Sequence, residues 1–228
     1  REKELARLQA FLDGARGGHG RVVFLTGNAG TGKSTLVNEF IHDALASDSK
    51  LVAARGECNS QTGFAEAYLP FREAMTALAE AKPFSAAIEP KRRRMLASVS
   101  RTLLEFLVET APEAIALLVP GAGILINIAK GGTKALSKKA KKRLEEIIEK
   151  HEKDQDWTQR LRNVDRTCLF EQVAQLLSAI AKKHPIVLFI DDLQWADSGS
   201  VDMLFYLGRR IKTEAILIIG SYRPSDLA

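Results

Sequence analysis

Apolar positions follow two rhythms along the chain. Leu5, Leu8, Phe11 and Leu12 recur at helical spacing over residues 3–13, and a Gly and His cluster from 14 to 20 ends the run, so an amphipathic helix leading into a loop is expected. Residues 22–26, Val-Val-Phe-Leu-Thr, form instead a short β-rich run that is apolar up to its last residue. A strand with one solvated face would alternate, so this run predicts a strand covered on both sides, as in a parallel sheet with helices on both faces. Helical spacing returns over residues 33–46, and residues 51–55 form a second strand candidate that completes a βαβ unit.

From about 65 to 156 strand signals vanish and helical ones dominate, with boundaries suggested at Pro70, Pro83, Pro90, Pro112 and Pro120. The β rhythm then resumes. A helix over 164–183 places Leu169, Val173, Leu176, Leu177 and Ile180 on one face and stops at Pro185. A third strand at 186–190 runs into Asp191 and Asp192, a helix covers 198–211, and a fourth strand occupies 215–219. Strands separated by helices in this order predict an α/β fold of three layers with a parallel sheet and a long helical insertion between the second and third strands. The expected division is 1–82 for the N-terminal helix and first βαβ unit, 83–156 for the insertion, and 157–228 for the second half of the core.

Composition narrows the class. The 228 residues, 46% hydrophobic and 27% charged, exclude a disordered or low-complexity chain and allow one large domain with an insertion. Cys58 and Cys168 stand far apart with no neighbouring His, which indicates neither a disulfide framework nor a zinc site and suits reduced cytoplasmic thiols. Arg1 in first position, with no signal-peptide pattern after it, fits a piece of a longer protein. The longest uncharged apolar run, 114–129, is too short to span a membrane and is broken by Pro120, Gly121 and Gly123, so a buried or partner-facing helical hairpin is expected there. The net charge of +5 would suit a polyanion if the excess were clustered. Two basic runs, 91–94 and 138–143, are candidates, but no aromatic interleaving accompanies them, and Lys141 and Lys142 precede Glu145 and Glu146 by four residues, as on a solvated, salt-bridged helix face. Nucleic-acid binding is therefore not the expectation for this chain.

The strongest chemistry lies between the first strand and the second helix. Gly27-Asn28-Ala29-Gly30-Thr31-Gly32-Lys33-Ser34 fits G-x-x-x-x-G-K-[ST] in the strand-to-helix context that the motif requires. Its glycines let successive N–H groups curl inward, and the helix N-terminus adds its positive end, so Asn28, Ala29, Gly30, Thr31 and Gly32 would cradle a polyphosphate. Lys33 would reach the β- and γ-phosphates, Ser34 would ligate Mg²⁺, and Thr35 would lie beside the α-phosphate. Asp191, at the end of an apolar strand, is the candidate second metal carboxylate, held to Mg²⁺ through water. Asp192 is compatible with two roles, orienting the attacking water as catalytic base or capping the following turn. Arg223 likewise is either a γ-phosphate sensor or a surface cation beside Pro224. Trp195 and Asp197 are expected in packing and turn capping, and His19, before a strand, is expected to be solvated. The absence of Asn-Lys-x-Asp disfavours a guanine-specific GTPase.

These residues resemble the P-loop ATPases of the AAA+ and STAND group, the signal transduction ATPases with numerous domains. The resemblance rests on residues 1–5 (Arg-Glu-Lys-Glu-Leu), the P-loop, residues 188–197 through Asp191-Asp192-Leu193-Gln194-Trp195-Ala196-Asp197, and Gly220-Ser221-Tyr222-Arg223-Pro224, with Gly56-Glu57-Cys58 and Tyr68-Leu69-Pro70-Phe71 as further likeness. It implies an ASCE-type fold in which the Arg223 strand lies between the P-loop strand and the Asp191 strand, and an Arg-Glu segment near the adenine. It also implies a cytoplasmic ATP/ADP switch in a larger signalling or regulatory protein: slow ATP hydrolysis, oligomerisation on activation, and the parent's other domains as partners. Two features depart from the family pattern: the insertion carries no assignable motif, and the fifth strand and helical lid expected after Arg223 are not in the chain, which would leave the first strand an exposed edge. The alternative from another class is a nucleic-acid-dependent motor or loader, motivated by the basic runs. A small-molecule kinase lacks a visible acceptor motif.

Overall fold

The rhythms translate into alternating helices and parallel strands in the computed structural model, which describes residues 1–59, 67–79 and 166–226 and the single positions 95, 96, 99, 142 and 146. Helix α1 (Glu2–Arg16) precedes strand β1 (Arg21–Thr26), α2 (Lys33–Ser47), β2 (Val52–Glu57) and α3 (Leu69–Ala79). Helix α4 (Arg166–Ala181), β3 (Ile186–Asp191), α5 (Ser198–Arg210) and β4 (Ile216–Tyr222) complete the described α-helices and strands, with short 3-10 turns at Leu193–Trp195, Ile211–Thr213 and Pro224–Asp226. The sheet order is β1-β4-β3-β2, with every pairing parallel. The strand carrying Arg223 at its exit thus lies between the P-loop strand and the Asp191 strand, as the resemblance implies.

Side chains of a strand point alternately to its two faces, and here the alternation divides two cores. Ile186, Leu188 and Ile190 of β3, with Ile216 and Ile218 of β4, face the layer of α3, α4 and α5. Val187 and Phe189, with Leu217 and Ile219, face Leu8 and Leu12 of α1 and Val37, Phe40 and Ile41 of α2. Three layers follow directly. All five apolar residues of β3 are 0% exposed, each stabilising the fold by roughly 2 kcal/mol of transfer, so the end of this strand is held firmly in place. Gly56 lets α3 close on β2, because a Cβ at that position would lie 1.8 Å from the Pro70 carbonyl oxygen.

Three expectations are corrected. β1 is not covered on both sides: Val23 and Leu25 pack inward, but Phe24 on the other face is 50% exposed. The reason is position, since β1 ends the described sheet and has one strand neighbour, β4. Helix α1 runs on through Gly14 to Arg16, because Leu12 and Ala15 are both fully buried and hold the turn in place. Trp195 is 44% exposed rather than packed. His19 is exposed as expected, and it precedes β1, at the edge of the sheet opposite the P-loop.

The insertion expected at 83–156, its hairpin at 114–129 and its basic runs lie outside the described residues except at single positions. Of these, Val99 is buried in the cluster under α3 and α4, with Met95 packed against it. Lys142 Nζ stands 3.8 Å from Glu146 in the expected i,i+4 pairing, with both side chains exposed. No helix among the described residues is long and apolar enough to cross a membrane.

Candidate functional site

Because every described strand is parallel, their C-terminal ends share one edge of the sheet. Thr26 is level with Tyr222, Gly220 with Ile190, and Asp191 with Glu57. The P-loop leaves β1, Arg223 leaves β4, and Asp191 and Asp192 leave β3, so all the sequence-predicted groups emerge along one line. One strand separates β1 from β3, a spacing of roughly 10 Å. Ligands of open α/β sheets bind in such a crevice at the strands' carboxyl ends.

The P-loop is built for backbone exposure. Gly30 and Gly32 sit at φ values of 76° and 79°, a left-handed conformation that side chains rarely adopt. Gly32 immediately precedes α2 and offers no side-chain cap, and the first turn carries no acidic residue, so no side chain competes for its N–H groups. Thr31 Oγ1 donates to the Asn28 carbonyl at 2.9 Å and closes the loop on itself. Lys33 Nζ donates to the carbonyls of Gly27 and Asn28, at 2.8 and 3.1 Å. The ammonium is thereby stored inside the loop by two acceptors that are weaker than phosphate oxygens. Arg1 adds a second cation here, since a Cβ on Gly32 would lie 2.5 Å from its Nη2.

Parity places Asp191 on the face shared by Val187 and Phe189, the same layer as α2, whose first turn carries Ser34. The carboxylate is buried, with 1% of the residue exposed. Its Oδ1 accepts a short hydrogen bond from the Ser221 hydroxyl and a 3.1 Å bond from the Asp192 N–H. Oδ2 accepts 2.8 Å from Arg55 Nη2. Ser221, one strand over on β4, therefore orients the carboxylate, and its Oγ also accepts from the Asp192 N–H at 3.2 Å.

Asp192 turns the chain out of the sheet at φ 56° and ψ 47°, a left-handed conformation that aspartate and asparagine tolerate better than other non-glycine residues. Its side chain makes no capping bond to the following turn, which removes capping as its role here. Instead Asp192 Oδ1 accepts 2.8 Å from Gln194 Nε2, and Gln194 Oε1 accepts 3.1 Å from the Arg223 N–H. Arg223 Nη2 stands 3.6 Å from the same Asp192 oxygen. Gln194 thus ties the end of β3 to the end of β4. Asp197 does the capping: it accepts from the N–H of Ser200 at 3.0 Å at the start of α5, and from the Tyr68 N–H at 3.2 Å. Tyr68, itself left-handed at φ 59°, is buried against Phe170.

Beneath this edge, burial pushes the Cys58 thiol up to about 12, with the charges of Asp197, Asp192, Glu73 and Asp191 adding to the effect. Cys58 is inert packing, and its N–H donates to the Asp191 carbonyl at 3.0 Å.

Magnesium prefers hard oxygen donors and keeps several waters. The Ser34 hydroxyl and the Asp191 carboxylate, whose Oδ2 accepts from one donor among the described residues, are such groups, and the uncapped α2 start suits phosphate. The residues present fit a magnesium-bound nucleotide. Arg55, Ser221 and Gln194 gain roles that sequence reasoning did not assign. An arginine at the end of an otherwise apolar strand candidate was the available signal for Arg55, but its partner depends on the register between β2 and β3.

A family model described as AAA ATPase domain matches residues 1–219. Comparison with the curated proteins and with the solved structures finds no match.

Proposed function

The chain belongs to the AAA ATPase domain family, and from that premise we propose that it is the nucleotide switch of a STAND-type signalling or regulatory protein, binding ATP with Mg²⁺ and hydrolysing it slowly. Exchange of ADP for ATP then favours oligomerisation and activates an effector outside this chain. The observation that carries this reading is the Asp192-Gln194-Arg223 linkage beside the P-loop edge. It joins the candidate base to the candidate γ-phosphate sensor.

Bound Mg²⁺ would neutralise phosphate charge between Ser34 and Asp191. Lys33 leaves the loop carbonyls for the stronger phosphate oxygens, and the N–H groups of residues 28–35 hold the chain of phosphates in place. Asp192 accepts the proton of the attacking water. Gln194 holds the carboxylate in place for this through its 2.8 Å bond to Oδ1. A γ-phosphate that draws Arg223 toward itself also releases Asp192. ATP and ADP therefore interact unequally with the two arrangements, as any switch requires.

Titration with fluorescent ATP, ADP and GTP tests this reading. ATP and ADP should differ in affinity, and GTP should bind more weakly. Lys33→Ala should lose roughly tenfold to a hundredfold in triphosphate affinity while remaining folded, from the loss of one charged contact. Asp192→Asn should bind ATP and lose turnover. Equal ATP and ADP affinities remove the switch, and normal hydrolysis by Asp192→Asn removes the assigned base.

A further inference from the structure

Arg55 lies where a metal site would not ordinarily keep a cation. Its Nη2 donates 2.8 Å to Asp191 Oδ2 and 3.2 Å to Glu57 Oε2. The two acceptors differ sharply, since the Asp191 side chain is 2% exposed and that of Glu57 is 55% exposed. Register explains the cluster. Arg55 is level with Phe189, and Glu57 with Asp191, so all four side chains share the α2 face of the sheet. The guanidinium stacks 5.4 Å over the Phe189 ring, which is fully buried and holds it at this height.

We propose that Arg55 is a positioning residue that neutralises the buried Asp191 carboxylate in the metal-free protein and releases it to Mg²⁺, setting the Mg²⁺ concentration at which nucleotide is bound tightly. The inference rests on the reading of Asp191 as the water-mediated metal carboxylate. A buried carboxylate without a counter-charge is strongly destabilising, and in the metal-free protein Arg55 supplies the charge that the two hydrogen bonds to Oδ1 do not. With Mg²⁺ present, a metal-bound water and the guanidinium draw on the same carboxylate, and the two cations behind them repel each other at short range in a water-poor setting. Arg55 has a second acceptor within reach. An arginine Nη carries two N–H groups, so the guanidinium keeps its bond to Glu57 while it gives up Asp191. The exposed end of the cluster is the resting place of Arg55 in the loaded state, and the buried end is its place in the empty one.

The test measures the affinity of the full chain for a fluorescent ADP over a series of buffered free Mg²⁺ concentrations, with thermal melting in EDTA alongside. Arg55→Met keeps the stem and removes the charge. It should lower the half-effective Mg²⁺ by about tenfold, melt earlier than the wild type in EDTA, and gain more from Mg²⁺ and ADP together. Glu57→Gln, an exposed change, takes the negative charge from the resting place, leaves only a weaker neutral acceptor, and should raise the half-effective Mg²⁺ by about threefold or more. Asp191→Asn serves as the reference and should abolish the Mg²⁺ response. If Asp191→Asn responds to Mg²⁺ like the wild type, the metal reading of Asp191 fails and the proposal falls with it. If Asp191→Asn loses the response while Arg55→Met and Glu57→Gln keep the wild-type midpoint, the site reading stands and the role of Arg55 is refuted. Should Arg55→Met not fold, an unchanged midpoint in Glu57→Gln refutes it alone.

Discussion

Asp192 combines a left-handed backbone, which aspartate tolerates and alanine does not, with a candidate catalytic carboxylate, and substitution can separate the two. Its φ and ψ of 56° and 47° lie in the left-handed region, where an alanine costs roughly 1 kcal/mol more than a glycine. Its carboxylate also accepts the 2.8 Å bond from Gln194, worth about 1 kcal/mol net. Asparagine tolerates the left-handed region and can still accept from Gln194, so Asp192→Asn should stay within about 0.5 kcal/mol of the wild type. Glycine keeps the backbone and loses the bond, a loss of about 1 kcal/mol. Alanine loses the bond and adds the strain, about 2 kcal/mol in all. For a chain of this size that predicts a fall in Tm of roughly 4–8 °C for Asp192→Ala and about half as much for Asp192→Gly. Thermal and urea unfolding of the three variants, each without nucleotide, gives the order directly, while ATP turnover should be lost in all three. Equal stability of the Gly and Ala variants would show that the left-handed backbone at this position costs alanine nothing and would refute the reasoning.

Three further outcomes follow from the packing and titration of other residues. Gly56→Ala should destabilise by about 3 kcal/mol, because the new Cβ meets the Pro70 carbonyl oxygen at 1.8 Å and backbone must move; a melting curve within about 2 °C of the wild type would contradict this contact. Burial, with Lys183 and Lys50 adding to it, holds the His184 imidazole below its ordinary 6.5, against the opposing hydrogen bond to the Lys50 carbonyl. The unfolded chain then takes up the proton first, so this stability is present above pH 6.5 and is lost as pH falls through the lower folded value. Urea midpoints should therefore drop more for the wild type than for His184→Gln between about pH 7 and pH 5. With Cys58 buried and its thiol pushed up to about 12, a thiol reagent at pH 8 should label the partly exposed Cys168 rapidly and reach Cys58 only on unfolding, a difference that mass spectrometry reads.

Much of the fold was legible in the order of the strands and helices because two periodicities are local properties. The runs at 22–25 and 186–190 lack polar positions, and that alone predicts parallel strands between helices. The same logic overreached at β1, where uniform apolarity predicted cover on both faces and Phe24 is half exposed. An apolar strand does not announce whether it lies at the centre or the edge of a sheet. The P-loop was equally legible, since its glycines, Lys33 and Ser34 act through the backbone of one continuous segment.

What the sequence alone determined is therefore the set of groups whose geometry is built within a few residues: the left-handed glycines, the stored lysine, the carboxylates at the end of β3. What only the tertiary structure decided is which of them touch. Arg55 and Asp191 are separated by 136 positions and meet because β2 pairs with β3 in one register, and Ser221 reaches Asp191 because β4 inserts between β1 and β3. A one-residue slip in either pairing would turn these side chains to the other face, and no local pattern in the chain encodes that register. It is set by the summed burial of two hydrophobic layers against a common sheet, which is a property of the whole fold.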